Sequence, residues 1–196
     1  MPDRPRSPSP VESAPVYSPL ARRLHWWTVA FVMVLVPLGL MMHRRGNELN
    51  IWDATTNNMY SLHKLLGFIL LWLVVVRLVY RFTNGAPPDE PTLEWWQKAA
   101  SHLTHWGMYA LLLVIPILGW VGISMFGATN VFGLFNLPSI AAQNQETAKL
   151  VFLFHKLAAI LLILAIVAHI GAAIFHHFIR KDGVLRRMLP SVGRRE

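Results

Sequence analysis

Residues 152–178 read F-L-F-H-K-L-A-A-I-L-L-I-L-A-I-V-A-H-I-G-A-A-I-F-H-H-F, and this stretch decides the fold because it is long, apolar and free of acidic residues. A helix of about 20 such residues crosses the ~30 Å hydrocarbon core of a bilayer. The stretch also holds His155 and His169, 14 positions apart. That spacing corresponds to roughly 1400° of rotation and ~21 Å of rise, so the two rings share nearly one helix face. Polar side chains at such depth need partners or a function.

Three further apolar runs precede this one, at residues 25–42, 62–82 and 102–126. The chain is 54% hydrophobic and 14% charged, with a mean hydropathy of +0.41. Soluble domains are less apolar than this, and only helices or closed barrels satisfy their backbone groups in lipid. Continuous runs of this length favour helices. The sequence therefore predicts an all-α membrane protein built as a bundle of four transmembrane helices.

Basic residues predict how the bundle is oriented. Residues 1–20, rich in proline and serine, are expected to form a flexible tail, followed by the bundle at 21–182 and a basic tail at 183–196. Thirteen of the 18 lysines and arginines lie at the end of the bundle that carries both tails. Because cytoplasmic segments are enriched in these residues, we expect both termini in the cytoplasm.

Composition also limits the chemistry of the chain. It contains no cysteine, which excludes iron–sulfur clusters, thiolate-ligated haem, covalently attached c-type haem and disulfides. The net charge of +8 is better explained by membrane topology and anionic lipid than by nucleic acid, because the basic residues flank the apolar runs.

The predicted topology places four histidines at two depths. His25 falls level with His169, and His63 falls level with His155. Imidazole is a good axial ligand for haem iron, and facing helices of four-helix bundles build such sites. Iron with two histidine ligands has no open position, which suits electron transfer. The pattern predicts two haem irons, held by the pairs His25/His169 and His63/His155.

Two other interpretations of these histidines remain open. An intramembrane histidine can be a hydrogen-bonded structural residue or part of a proton path, as in a haem-free proton-coupled transporter. Against a transporter, the acidic residues all lie outside the apolar runs. A zinc site is less favoured, because each depth offers two histidines with no carboxylate or thiolate beside them.

Four more side chains are candidates for contacts with haem propionates, a quinone or an anionic donor: Lys64, Lys156, His102 and His105. The lysines directly follow the two outer histidines, and we expect them either to balance and steer anions or to extend through lipid to the interface. The two histidines lie three positions apart at the start of the third span, where an interfacial structural role is the alternative.

Several short motifs, in order along residues 18–190, identify a known family. They are R-R-L-H-W-W at 22–27, S-L-H-K-L-L-G at 61–67, S-H-L-T-H-W-G-M-Y at 101–109, F-H-K-L-A at 154–158, A-H-I-G-A-A at 168–173 and H-H-F-I-R-K-D-G-V-L-R-R-M-L-P at 176–190. With these motifs the chain resembles the bacterial cytochrome b561 family, whose members are four-helix dihaem b-type membrane cytochromes.

The resemblance implies a specific activity. It implies two non-covalent haems b on the same two histidine pairs, and electron exchange with ubiquinone in the inner membrane. Some members resemble superoxide oxidases, which pass electrons from superoxide to the quinone. Similar cytochrome b subunits anchor hydrogenases and formate dehydrogenases, so the alternative is a membrane anchor that relays electrons from such a redox partner to quinone.

Overall fold

Four long helices make up most of the molecule. The computed structural model describes residues 16–189. The helices are α1 (Pro19–His43), α2 (Ala54–Asn84), α3 (Trp95–Phe126) and α4 (Gln145–Phe175). Short π-helical turns extend α1 over Arg44–Glu48 and α4 over His176–Arg180, and a 3-10 turn follows at Leu185–Arg187. Each of the four helices is long and apolar enough to cross a membrane, which confirms the predicted four spans.

Side-chain caps fix where the helices begin. The Ser18 hydroxyl accepts the backbone N–H of Ala21, and Pro19 occupies the first turn, where its missing N–H costs nothing. The Asp53 and Asn144 side chains cap α2 and α4 in the same way. Helix α1 therefore begins inside the segment 1–20 that was predicted to be a tail. The rest of that predicted tail, residues 1–15, lies outside the described residues.

The helices pack in chain order around a small apolar core. Contacts join α1 to α2, α2 to α3 and α3 to α4. Each helix contributes to the buried cluster, whose members are Leu35, Leu70, Val74, Leu112 and Leu162. Leu162 lies midway along α4 between His155 and His169, so the cluster separates the two histidine levels. Outward-facing side chains such as Leu164 and Val167 stay more than 60% exposed, as expected for helices that face lipid.

Both ends of the described chain meet at one end of the bundle, named here the terminal end. The guanidinium of Arg22 donates to Leu189 O, and the indole of Trp26 donates to Met188 O. Arg187 is 8% exposed, donates to Pro88 O and lies over the Tyr17 ring. Residues 183–189 of the predicted basic tail are thus packed onto the bundle, through contacts that join segments distant in sequence. Residues 190–196 lie outside the described residues.

The opposite end, named here the hairpin end, carries an element that the sequence did not predict. Strands β1 (Asn130–Val131) and β2 (Phe135–Asn136) form a two-stranded antiparallel hairpin between α3 and α4. Its turn needs left-handed backbone, with φ of +54° at Phe132 and +74° at Gly133. Strands of two residues are too short to show alternation of apolar and polar side chains, so the pattern gave no signal.

Candidate functional site

The four histidines meet in two pairs, one near each end of the bundle. In the terminal pair, the ring centres of His25 on α1 and His169 on α4 are 6.4 Å apart. In the hairpin pair, the ring centres of His63 on α2 and His155 on α4 are 6.3 Å apart. The pairing expected from depth along the chain is the pairing that the structure brings together. Helix α4 contributes one ring to each pair.

The spacing within each pair accommodates one metal ion. A metal–imidazole bond is about 2.0–2.1 Å long, and a ring nitrogen lies roughly 1.1 Å from the ring centre, so histidines on opposite sides of one ion have centres about 6–6.5 Å apart. Both pairs match this distance. Among residues 16–189, no three His, Cys, Asp or Glu side chains are arranged to hold a metal ion. The pairs therefore fit an ion whose remaining ligands come from a prosthetic group, as the porphyrin provides in haem.

In the hairpin pair, His155 is oriented by α3. Its Nδ1 and the backbone oxygen of Ile115 are 2.8 Å apart, so Nδ1–H donates to this carbonyl. A metal-binding histidine commonly donates its second ring N–H to a carbonyl, which fixes the tautomer and leaves Nε2 available. Gly119, one turn further along α3, allows the approach, because a Cβ there would lie 3.3 Å from His155 Cε1.

His63 packs against α1 in the same way as His155 packs against α3. A Cβ on Gly39 would lie 3.1 Å from His63 Cε1, so the ring packs directly on the α1 backbone. The ring also lies beside the backbone of Leu35, one turn before Gly39. Each ring of the hairpin pair thus lies on a glycine-containing turn of the preceding helix.

In the terminal pair, an arginine within the second span contacts a histidine. Arg77 Nη2 donates to His25 Nδ1 over 3.0 Å, and the guanidinium lies 5.0 Å from the centre of the Tyr109 ring. In the sequence, Arg77 was counted only among the basic residues that predict the orientation of the bundle in the membrane. Its position in the run L-L-W-L-V-V-V-R was an available signal, because intramembrane ionisable residues usually have a functional role.

Only one of the two candidate histidines on α3 reaches a pair. The ring centres of His105 and His169 are 5.2 Å apart, and His105 Nδ1 is 3.2 Å from Ser101 Oγ. This separation is too short for an ion between the two rings, so His105 supports His169 from beside it. His102 instead forms an exposed contact with Asp89, 3.1 Å from its Nε2.

The two candidate lysines have different surroundings. Lys64 is half-buried, and its ammonium donates to Ala128 O over 3.1 Å and to Asn130 O. Both carbonyls lie in the connection 127–144 between α3 and α4, named here the hairpin segment. Lys156 is exposed, and its ammonium lies 3.4 Å from His43 Nε2. The ammonium of Lys64 is therefore engaged by backbone carbonyls, whereas that of Lys156 faces the surface beside the hairpin pair.

The chain is similar over most of its length to several known proteins. The family model for prokaryotic cytochrome b561 matches residues 16–191. The chain is 31% identical over 171 residues to cytochrome b561 homolog 1 of Escherichia coli strain K12, which covers 85% of this chain and 93% of that protein. It is 29% identical over 174 residues to cytochrome b561 homolog 2 of the same strain, covering 88% and 90%. It is also 26% identical over 175 residues to a probable superoxide oxidase CybB of Yersinia pestis, covering 89% and 96%.

Proposed function

This chain belongs to the prokaryotic cytochrome b561 family, and we propose that it binds two haems b and passes electrons through them to ubiquinone. Membership makes it a multi-pass bacterial membrane protein that binds b-type haem and carries electrons. The number of haems, their ligands, the quinone and the orientation are the proposed part. Positive charge concentrated at the terminal end supports a cytoplasmic location for both termini.

One observation carries the proposal, namely that two histidine pairs with the spacing of a shared ion lie at two levels of the bundle, each with one member on α4. We assign His25 and His169 to one haem, and His63 and His155 to the other. The two proposed ligands on α4 are separated by ~21 Å of helix rise, so the two sites that would hold haem lie at different depths. The apolar cluster around Leu162 fills the space between the two levels.

The chain's own residues hold and tune the sites. When bound, haem iron supplies reversible one-electron transfer, and two histidine ligands leave it no open position for oxygen. His155 keeps its ring in a fixed tautomer by donating to Ile115 O, while Arg77 places a permanent positive charge against His25. The protein thereby sets ligand geometry and the local field at each site.

For the electron donor we propose superoxide, because a relative of this chain is named a probable superoxide oxidase. Two superoxide anions would each lose one electron to become dioxygen, and one ubiquinone would take both electrons and two protons to become ubiquinol. Lys156 lies exposed beside the hairpin pair and is the better placed of the two candidate lysines to attract an anion.

The ligand assignment is tested by replacing His25, His63, His155 and His169 singly with alanine. The purified protein should show haem b bands and two haems per chain. The two variants of one pair should disturb the same haem and leave the spectrum of the other. Absence of haem b after expression with adequate haem, or variants whose effects cross the pairs, would refute the assignment.

The donor is tested by stopped-flow mixing of the oxidised protein with superoxide, with and without ubiquinone. We expect rapid haem reduction, followed by reoxidation when ubiquinone is present. Lys156→Gln should lower the bimolecular rate constant and flatten its dependence on ionic strength, whereas Lys64→Gln should change that salt dependence little. Haems that stay oxidised with superoxide but accept electrons from a redox protein would favour the anchor-subunit alternative.

A further inference from the structure

The hairpin segment is tied to α2 on either side of His63. The amide of Phe132 donates to Ser61 Oγ over 3.1 Å. The Lys64 ammonium donates to Ala128 O and Asn130 O. Val131 lies between these contacts and is completely buried. The turn of α2 that carries His63 is therefore held by the side chain two residues before His63 and by the side chain immediately after it.

The same segment is also fixed to the end of α3. The Trp120 indole donates to Pro138 O over 2.7 Å, and Ser124 Oγ accepts the amide of Ile140 over 3.2 Å. The amide of Asn144 donates to Met125 O over 3.0 Å. These contacts make residues 127–144 a connection between α2 and α3, and α3 is the helix on which His155 rests.

The contacts of Ser61 and Lys64 with the hairpin segment act through the backbone of α2 and do not touch the His63 ring. Ser61 and Lys64 are one turn apart and share a side of the helix, whereas His63 points about 130° away from them, toward the bundle interior. Fixing that turn therefore fixes the rotation of α2, and with it the direction in which His63 faces His155. The corresponding pair of neighbours on α4, His155 and Lys156, has no such connection, because the Lys156 ammonium hydrogen-bonds to His43 and not to the hairpin segment in the described residues.

We propose that residues 127–144 form a strut between α2 and α3, and that Lys64, helped by Ser61, is a positioning residue for the hairpin pair. The strut stands on the contacts alone, while its positioning of a haem ligand rests on the proposed function. The ammonium serves here as a multiple donor to carbonyl oxygens, which is a structural use of the charge and differs from the anion steering assigned to Lys156.

Amide hydrogen exchange of the whole protein in nanodiscs tests the strut. Lys64→Met keeps the length of the side chain and removes the donors, Ser61→Ala removes the acceptor for Phe132, and Lys156→Met is the matched control. We expect exchange of the amides of Phe132, Leu134 and Leu137 to accelerate on the order of tenfold to a hundredfold in Lys64→Met, because a hydrogen bond to a charged group shifts a local equilibrium by that factor. Lys64→Arg should restore slow exchange, and Lys156→Met should not change it.

The positioning role is tested by redox titration and electron paramagnetic resonance of the same variants. Lys64→Met should change the midpoint potential and the low-spin signal of the haem on His63 and His155, while the haem on His25 and His169 serves as the internal reference for correct folding. Should Lys64→Met misfold, Ser61→Ala provides the same comparison with a smaller change.

Unaltered exchange would overturn the strut, and accelerated exchange with an unaltered haem signal would overturn the positioning role. A wild-type protein without haem would refute the proposed function and leave the exchange result standing.

Discussion

Arg77 Nη2 lies 3.0 Å from His25 Nδ1, and the arginine must be the donor because a guanidinium has no acceptor. No carboxylate among residues 16–189 forms an ion pair with Arg77. A cation in a membrane span without an acidic partner is costly and usually functional. Its position behind a proposed iron ligand suggests that it compensates the electron density of the reduced site.

The first prediction concerns the potential of the haem at the terminal pair. Arg77→Gln should lower its midpoint potential, because the ferrous form loses the stabilisation of a nearby positive charge. A charge at this range in a partly wet site contributes on the order of 1–2 kcal/mol, about 40–90 mV for one electron. Potentiometric titration in the visible range measures the shift, which should be confined to one of the two haems.

Arg81, one turn further along α2, is the control for a general charge effect. Arg81→Gln removes the same charge from the same end of the bundle without a contact to His25. Equal shifts in the Arg77 and Arg81 variants would mean that net charge at the terminal end, and not the position of Arg77 beside His25, sets the potential.

The second prediction concerns the planes of the imidazole rings. The rings are inclined by 68° in the terminal pair and 76° in the hairpin pair. Near-perpendicular axial imidazoles bring the iron d orbitals of a low-spin ferric haem close to degeneracy. Electron paramagnetic resonance of the oxidised protein should therefore show strongly anisotropic low-spin signals from both haems. Ordinary rhombic signals, typical of parallel rings, would contradict this prediction.

The third prediction uses the glycine on which His63 rests. In Gly39→Ala the new Cβ would lie 3.1 Å from His63 Cε1, so the ring must move or the helices must separate. Overpacking of this kind costs about 1–3 kcal/mol where neighbours cannot yield. We expect lower occupancy or an altered spectrum of the haem at the hairpin pair alone. Gly107→Ala is the matched control on α3, because no heavy atom lies within 4 Å of the added carbon.

The fourth prediction concerns acid stability at the hairpin end. The pKa of Asp53 is lowered from its ordinary value, first by the backbone N–H of Thr56 and also by the Thr56 hydroxyl and Arg45. A lowered pKa in the folded state means that ionised Asp53 stabilises the protein above the unfolded value of about 3.9, and that this contribution disappears as the pH falls through the folded pKa. The relevant window is therefore below about pH 4.

Asp53→Asn keeps a capping side chain and removes the charge that faces Arg45. Thermal melting at neutral pH should show the variant to be less stable than the wild type, and the two melting temperatures should converge as the pH falls below about 4. A difference that stays constant down to pH 3 would mean that ionisation of Asp53 is not the cause.

Patterns along the chain were sufficient to predict the spans and the pairing of the histidines. Long apolar runs determine helices in lipid, and the position of each histidine within its run determines its depth. His25, His63, His155 and His169 were therefore matched correctly without knowledge of any tertiary contact. Their role as iron ligands stays a prediction.

Contacts between segments distant in sequence were not predictable in the same way. Lys64 appeared equivalent to Lys156, because each follows an outer histidine. The difference between them arises from the hairpin, whose residues are more than sixty positions from Lys64. Likewise, Arg187 is buried at the terminal end because it donates to Pro88 O and packs over the Tyr17 ring. Local periodicity carries no information about such partners.

Because α4 contributes one ring to each pair, neither proposed haem can be retained until the last span is in place. A ribosome adding ~5–20 residues per second needs about 4–17 s to pass from Asn84 to His169. During that time His25 and His63 are already in the membrane without their partners. Cofactor capture would then be the closing step of biogenesis, and a nascent chain that stalls before His155 would leave an empty precursor for membrane proteolysis.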